Sequence, residues 1–449
     1  MGKFEKKVAF RNLGCKVNEY ELEVMQQEIE KKGFEIVPFD SKADIYVINT
    51  CTVTNIADRK SRQMLHRAKK ENPDALVVAV GCYVQTDTEG AKKDRAVDIV
   101  IGNNHKAEIA DIIVRYLEGQ KEAEETVSDL TYPVPYEDMI MEKTKEHTRA
   151  FIKIQDGCNQ FCSYCAIPLA RGRIRSRESD SILKECKILS DNGYQEVVIT
   201  GIHLSSYGID FHPVDGKIKS YNEMASSGEF VNRDLLDVIR EVSKIDRIKR
   251  IRLGSLEPRL INEGFLKELS KIDKLCPHFH LSLQSGCDDT LRRMNRHYTT
   301  EEYRNSVNLL RKYFDNPAIT TDVIVGFPGE TDEEFNTTKE FLKNIGFFEM
   351  HVFKYSERKN TVAASLPDKV SDEIKDIRSD ELIKLDEELS ENFRQSYLGH
   401  RVEVLFEEKK GGFFTGHTRE YIKVKMKSDE DVSGKILSLS IDAETLNFV

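Results

Sequence analysis

Three cysteines stand close together in Cys158-Asn-Gln-Phe-Cys162-Ser-Tyr-Cys165. Thiolates are soft ligands, suited to iron–sulfur clusters or zinc. On the loop that follows a strand, three thiols at this spacing can converge on one face of a cubane cluster. A four-iron cube held by three cysteines keeps one iron without a protein ligand, and that iron can chelate a substrate or cofactor. The competing reading is a structural zinc site or a set of unligated thiols.

Cys15, Cys51 and Cys82 are separated by 36 and 31 residues and form no local motif. Each nevertheless follows a predicted strand, in Asn12-Leu-Gly-Cys15, Asn49-Thr-Cys51 and Val80-Gly-Cys82. Parallel strands of an open sheet place their carboxyl ends along one edge, where such folds bind ligands. Three thiols there either pack inertly or hold a second metal group. Cys186, Cys276 and Cys287 show no ligand spacing and are expected to be packing residues or exposed thiols.

The chain of 449 residues is too long for one compact core and suggests about two to four domains. Charged residues at 32% and hydrophobic ones at 39% exclude a disordered or membrane-embedded chain. No apolar run approaches the ~20 residues that span a bilayer. The start, Met1-Gly-Lys-Phe-Glu-Lys-Lys, lacks a signal-peptide h-region, so a cytoplasmic protein is expected. Nine cysteines, an odd number in a reducing compartment, speak against a disulfide framework. The net charge, 67 − 77 = −10, argues against nucleic-acid binding by bulk charge and leaves that role to local basic patches.

Elements must position these thiols. Residues 1–118 alternate strand and helix patterns, with apolar runs at 8–13, 43–48, 75–80 and 97–101 that suit strands buried on both faces. Asn18 and Glu21 are expected to cap the first helix, with Leu22, Met25 and Ile29 on its buried face and Gly33 as its stop. A second helix covers 57–71, ended by Asn72-Pro73, and a third covers 106–117. The result is a doubly wound α/β domain. Residues 119–148 are read as an exposed linker, either free or wrapped along the next domain. From 149 to 370 six βα units follow, with strands at 150–155, 196–200, 248–253, 278–283, 318–325 and 347–353. Six units suit a partial (β/α)6 barrel better than the eight-fold one. A charged connecting helix spans 371–397. Residues 398–449 read as a small antiparallel β-barrel with strands at 401–406, 412–417, 421–426 and 434–440.

Cys-x3-Cys-x2-Cys with Tyr164 before the last cysteine resembles the signature of the radical S-adenosylmethionine (SAM) superfamily. The resemblance implies that the open iron binds the amino and carboxylate groups of SAM. One electron from the cluster then cleaves the C–S bond to a 5′-deoxyadenosyl radical, while the barrel orients the cofactor. The order of parts, with a tricysteine domain first and a TRAM-type β-barrel last, resembles the methylthiotransferases over essentially the whole chain. Gly14-Cys-Lys-Val-Asn18-Glu and Asn49-Thr-Cys51-Thr-Val-Thr54 are most similar to the branch acting on threonylcarbamoyladenosine in tRNA. The isopentenyladenosine and ribosomal-protein branches typically carry another residue where Lys16 stands.

Arg171-Gly-Arg-Ile-Arg-Ser-Arg177, Leu283-Gln-Ser-Gly286, Met294-Asn-Arg296 and Thr321-Asp-Val-Ile-Val-Gly326-Phe-Pro-Gly329-Glu330 match the family barrel. The resemblance implies contacts to the adenosyl group from Tyr164, Gly201, Gln284, Ser285, Gly286, Val325, Gly326 and Phe327. Glycines there would let backbone approach the ligand closely. The chain departs from the family pattern at an insertion over 209–230. It also departs at Tyr355-Ser-Glu-Arg358-Lys-Asn-Thr361, which lacks an expected proline and glycine.

For RNA, Arg171, Arg173, Arg175 and Arg177 alternate without an acidic residue and on a strand would project together toward phosphates. Helix 57–71 adds Arg59, Lys60, Arg62, Arg67, Lys69 and Lys70. The tail from Leu398 carries eight basic and nine acidic residues, yet Lys423, Lys425 and Lys427 form one basic edge. Phe413, Phe414 and Tyr421 there either stack on bases or fill the small core. The resemblance implies two 4Fe-4S clusters, held by Cys158, Cys162 and Cys165 and by Cys15, Cys51 and Cys82. The expected reaction is methylthiolation of adenosine 37 beside the tRNA anticodon, using one SAM as methyl donor and one as radical source. The anticodon stem-loop and an electron donor such as flavodoxin or ferredoxin are the expected partners of a monomer. The alternatives are the same chemistry on a ribosomal-protein aspartate or on isopentenyladenosine, or an RNA-binding assembly factor with structural clusters.

Overall fold

A computed structural model describes residues 6–120, 125–144 and 148–446. By compactness the chain divides into two units. One comprises Met1–Lys145, Phe151–Ser181 and Ser356–Ala364, and the other Glu146–Ala150, Ile182–Tyr355 and Ser365–Val449.

In the first unit the β-branched runs become a parallel sheet, because strands such as Ile45–Thr50 and Leu76–Gly81 are buried along their whole length. Its order is Glu35–Val37, Lys7–Asn12, Ile45–Thr50, Leu76–Gly81, Ile99–Ile101, Glu125–Thr126. The two edge strands are too short to carry a period and were not legible in the sequence. Ala9, Tyr46, Ile48, Leu65, Val77 and Val84 belong to the core beneath the sheet. The stretch expected as an exposed linker is instead laid against this unit. Leu130, Met139 and Met141 are buried, Tyr20 donates to the Met139 carbonyl (2.6 Å), and Tyr136 to the Lys153 carbonyl (2.8 Å).

The expected Asn18/Glu21 cap does not form. The first helix spans Lys16–Lys31 and starts directly after Cys15, so both residues lie inside it. Glu21 is fully buried and accepts from Lys153 Nζ (2.7 Å), from both Arg171 terminal nitrogens (2.8 and 2.9 Å) and from Lys106. Asp156, also buried, accepts from Lys153 (2.9 Å), Arg171 (3.2 Å) and Arg175 (3.1 Å). This network ties the first helix to the strand Ala150–Asp156, which pairs antiparallel with Arg175–Ser176.

The second unit holds the remaining expected barrel strands. Glu196–Gly201 and Arg250–Leu253 pair in parallel, as do His278–His280, Ala318–Val325 and Glu349–Lys354. Bridges Ile251↔Leu275 and Leu256↔Leu281 continue the parallel series between the two groups. The helix Asp372–Gln395 follows. The insertion over 209–230 is ordered: it contains the helix Tyr221–Ala225 with a Ser220/Glu223 capping box and buries Tyr221. The C-terminal part is a four-stranded antiparallel sheet, in the order Lys423–Met426, Phe413–Thr418, Arg401–Lys410, Ile436–Ser440. It shares a core with Ala318 and Phe348. The guanidiniums of Arg149 and Arg252 lie 4.8 and 4.7 Å from the Tyr421 ring. Phe414 is buried in that core, so neither aromatic is a base-stacking group.

Burial opposes ionisation of Glu21 and Asp156, but Arg171, Lys106 and Lys153 for the first, and Lys153, Arg175 and Arg171 for the second, hold both well below the usual carboxylate range. Carboxylates depressed on folding stabilise above their ordinary pKa of about 4, and that stability is lost as pH falls toward the folded value. Glu21→Gln leaves buried cations without their partner and is expected to cost about 3–5 kcal/mol at neutral pH. Its loss of stability below about pH 4 should also be shallower than wild type. Unfolding midpoints measured across pH check both expectations.

Candidate functional site

The strand Ala150–Asp156 runs into a loop whose geometry glycine makes feasible. Gly157 has φ +69, and a Cβ there would lie 1.8 Å from the Arg173 carbonyl oxygen. The Cys158 N–H donates to the Gly172 carbonyl (3.0 Å), Phe161 adopts φ 50, and the Cys165 N–H donates to the Cys162 carbonyl (3.0 Å). The chain therefore curls on itself, with Cys158 buried and Cys162 and Cys165 half-buried. Cys162 and Cys165 border a cavity of about 180 Å³, together with Phe161, Arg173, Asn360 and Val362. Segment 356–364 comes from nearly 200 residues away in sequence, yet its Ala363 N–H donates to the Ser163 carbonyl (2.7 Å). Tyr164 is half-buried on the same loop.

The other three thiols follow from strand register. Asn12 pairs with Asn49, and Thr50 with Gly81, so the chain leaves three adjacent parallel strands at one level. Cys15, Cys51 and Cys82 come next. Cys15 is exposed, whereas Cys51 and Cys82 are buried. Burial, then the neighbouring Cys82 and Cys15, push the Cys51 thiol up to about 11. Crowded thiols of this kind lose their protons when a metal binds them. Side chains around them are fixed: Cys15 Sγ donates to Asn18 Oδ1 (3.4 Å), and Asn103 Nδ2 donates to Cys82 Sγ (3.4 Å). Asn49 Nδ2 donates to the Asn18 carbonyl (2.7 Å), and Arg171 to Asn18 Oδ1 (2.9 Å). Arg358, on the segment that departs from the family pattern, donates to Asn55 (2.6 Å), Thr52 (2.7 Å) and Asp58 (2.5 Å), bracing the chain after Cys51. These supports were missed in the sequence. Only the asparagines adjoining strand ends were a signal.

The arginine stretch 171–177 does not face phosphates. Arg171, Arg175 and Arg177 are buried, bound to Glu21 and Asp156, to Asp156, and to Asp138 (2.7 Å) respectively. Three carboxylates from distant segments had no visible link to these residues in sequence. Arg173 alone of the four is exposed, its guanidinium 4.6 Å from the Phe161 ring. Lys423 is exposed and Lys425 half-buried.

The second unit carries the other residues expected at an adenosyl group. Gly201 ends the strand Glu196–Gly201, and Gln284 adopts φ 73 with its N–H on the Asp322 carbonyl (2.8 Å). Ser285, Val325 and Phe327 are buried. A Cβ on Gly286 would lie 2.8 Å from Phe341, so this glycine serves helix packing. The Gly326 N–H donates to Glu330 Oε2 (2.6 Å), which Arg378 also holds (2.7 Å). Cys186, Cys276 and Cys287 are buried.

Residues 152–342 match the model described as the radical SAM superfamily, and residues 7–102 the one described as uncharacterized protein family UPF0004. The chain is 39% identical over 439 residues to a threonylcarbamoyladenosine tRNA methylthiotransferase MtaB of Bacillus subtilis, covering 97% of this chain and 93% of the relative. A protein of the same name from Aquifex aeolicus is 39% identical over 97% of this chain and 100% of its own length. The chain belongs to the radical SAM methylthiotransferase family. A tRNA-2-methylthio-N(6)-dimethylallyladenosine synthase of Alkaliphilus oremlandii is 32% identical, covering 97% and 90%. Among solved structures, the radical SAM methyltransferase TsrM from Kitasatospora setae is similar in fold, with a TM-score of 0.55 at 15% identity over 78% of this chain and 72% of that one.

The radical SAM loop of this methylthiotransferase carries three soft donors of the kind that hold the 4Fe-4S cluster of its superfamily, two of them, Cys162 and Cys165, bordering a cavity. Gly157→Ala drives a methyl group into the Arg173 carbonyl. It is expected to lose about four irons per chain on anaerobic reconstitution. Iron counting on folded protein, verified by circular dichroism, tests this.

Proposed function

We propose that this chain methylthiolates C2 of N6-threonylcarbamoyladenosine at position 37 of tRNA, with one SAM as methyl donor and a second as radical source. The observation that carries this reading is the strand register that gathers Cys15, Cys51 and Cys82 on one sheet edge, in a chain that also holds the Cys158, Cys162 and Cys165 loop. Each set of three thiols leaves one iron of a four-iron cluster open to a small ligand. When bound, the cluster at Cys158, Cys162 and Cys165 supplies the electron that cleaves SAM, and one at Cys15, Cys51 and Cys82 supplies an iron that can hold the sulfur to be methylated.

The residues of the chain tune and protect these sites. The Asn103 amide N–H donates to Cys82 Sγ, and the buried Arg171 charge partly offsets the burial that raises the Cys51 thiol. Relatives named for threonylcarbamoyladenosine, at 39% and 35% identity, support that substrate over dimethylallyladenosine, for which relatives stand at 32% and 31%. RNA contact is assigned to exposed cations: Arg173, Arg59 and Lys60 on the helix Asn55–Glu71, and Lys423 on the C-terminal sheet, read as TRAM-like. No helix among the described residues is long and apolar enough to cross a membrane. A cytoplasmic monomer supplied with electrons by a flavodoxin or ferredoxin completes the proposal.

Reconstituted anaerobically, the protein is expected to hold about eight irons, falling by about four in a Cys15→Ala/Cys51→Ala/Cys82→Ala variant. Undiminished iron there sinks the second cluster. Mass spectrometry of tRNA nucleosides from a strain lacking the protein should show loss of the methylthio form of threonylcarbamoyladenosine. An unchanged profile points to a protein substrate, and loss of the isopentenyl form to the other tRNA branch. Absence of 5′-deoxyadenosine on reduction with SAM would favour a structural role for the clusters.

A further inference from the structure

Three parallel strands of the second unit bring two imidazoles and a carboxylate together. Asp322 is directly opposite His351, and His280 is opposite Thr320, two residues before Asp322 and so on the same sheet face. His280 Nε2 lies 3.2 Å from Asp322 Oδ2. The rings of His280 and His351 stack with centroids 5.9 Å apart and planes 24° from parallel. One ligand atom from each of the three lies within 4.8 Å of the other two.

We propose that His280, Asp322 and His351 bind a divalent transition-metal ion of the zinc or ferrous type. Neutral imidazole and carboxylate donors suit these ions, whereas magnesium and calcium take oxygen ligands. Bond lengths of about 2.0–2.2 Å around such an ion place adjacent ligand atoms roughly 3–3.5 Å apart, and the His280–Asp322 separation already has that value. The other nitrogen of His280 is also engaged: Nδ1 lies 3.0 Å from Thr320 Oγ1, the kind of outer contact that orients a ligating ring.

The frame is stiff and the face accessible. Phe279, Ile319, Thr321 and Val323, which alternate with the ligands, are buried, while Asp322 is 28% and His280 16% exposed and His351 is exposed. Three ligands from adjacent strands leave coordination positions open to water or to an oxygen atom of a bound molecule.

The test uses the cluster-loaded enzyme, incubated anaerobically with Zn²⁺ and desalted, with zinc and iron counted in the same sample. About one zinc per chain is expected in the wild type. His280→Ala and His351→Ala should each weaken zinc binding at least about tenfold with iron unchanged. Asp322→Asn, which keeps the side-chain shape, should weaken it as well and guards against a variant that fails to fold. Zinc retained equally by the wild type and a His280→Ala/His351→Ala variant, or not retained by the wild type, overturns the site. Because iron is counted separately, neither outcome bears on the two tricysteine clusters.

Discussion

The Arg171 guanidinium is buried completely and grips Glu21, Asp156 and Asn18 at once. The interaction joins three things the chemistry needs: the helix that starts after Cys15, the strand that leads into Cys158, and the asparagine that touches Cys15. A buried cation is tolerated only when its partners are complete, because a charge left alone in the interior costs several kcal/mol. The neighbouring Lys106, Lys153 and Arg175 make the carboxylate side equally intolerant of change. The network therefore specifies one arrangement of helix and strand, where apolar packing alone would accept small slips.

Strand register does for the first thiol set what the loop does for the second. Parallel pairing advances all strands together, so cysteines placed just beyond Asn12, Asn49 and Val80 emerge side by side however far apart they are in the chain. The loop instead uses local curvature, with Gly157 and Phe161 in left-handed backbone. Segment 356–364 serves both regions, since Arg358 braces the turn after Cys51 while Ala363 bonds to Ser163.

The strands and the cysteine sets were legible because burial on both faces imposes continuous apolar runs and ligand chemistry imposes thiols. Arg171, Arg175 and Arg177 were misread for a physical reason. An alternating basic stretch looks alike in sequence whether it faces phosphates or three carboxylates at Glu21, Asp138 and Asp156. Within 119–148 only the expected exposure fails: Leu130, Met139 and Met141 bury themselves one at a time, without a period. The Asn18/Glu21 pair had the spacing of a cap, yet the helix begins three residues earlier, with Cys15 in the cap position, and turns both inward.

The sequence by itself determined the types of ligand, their grouping in threes and the order of α/β and antiparallel parts, because these follow from local composition and periodicity. Only the tertiary structure decided which charges are partners, which cations are exposed and that His280, Asp322 and His351 meet. Those outcomes depend on register between strands and on contacts across more than a hundred residues, as between Glu21 and Arg171, for which no short-range pattern exists.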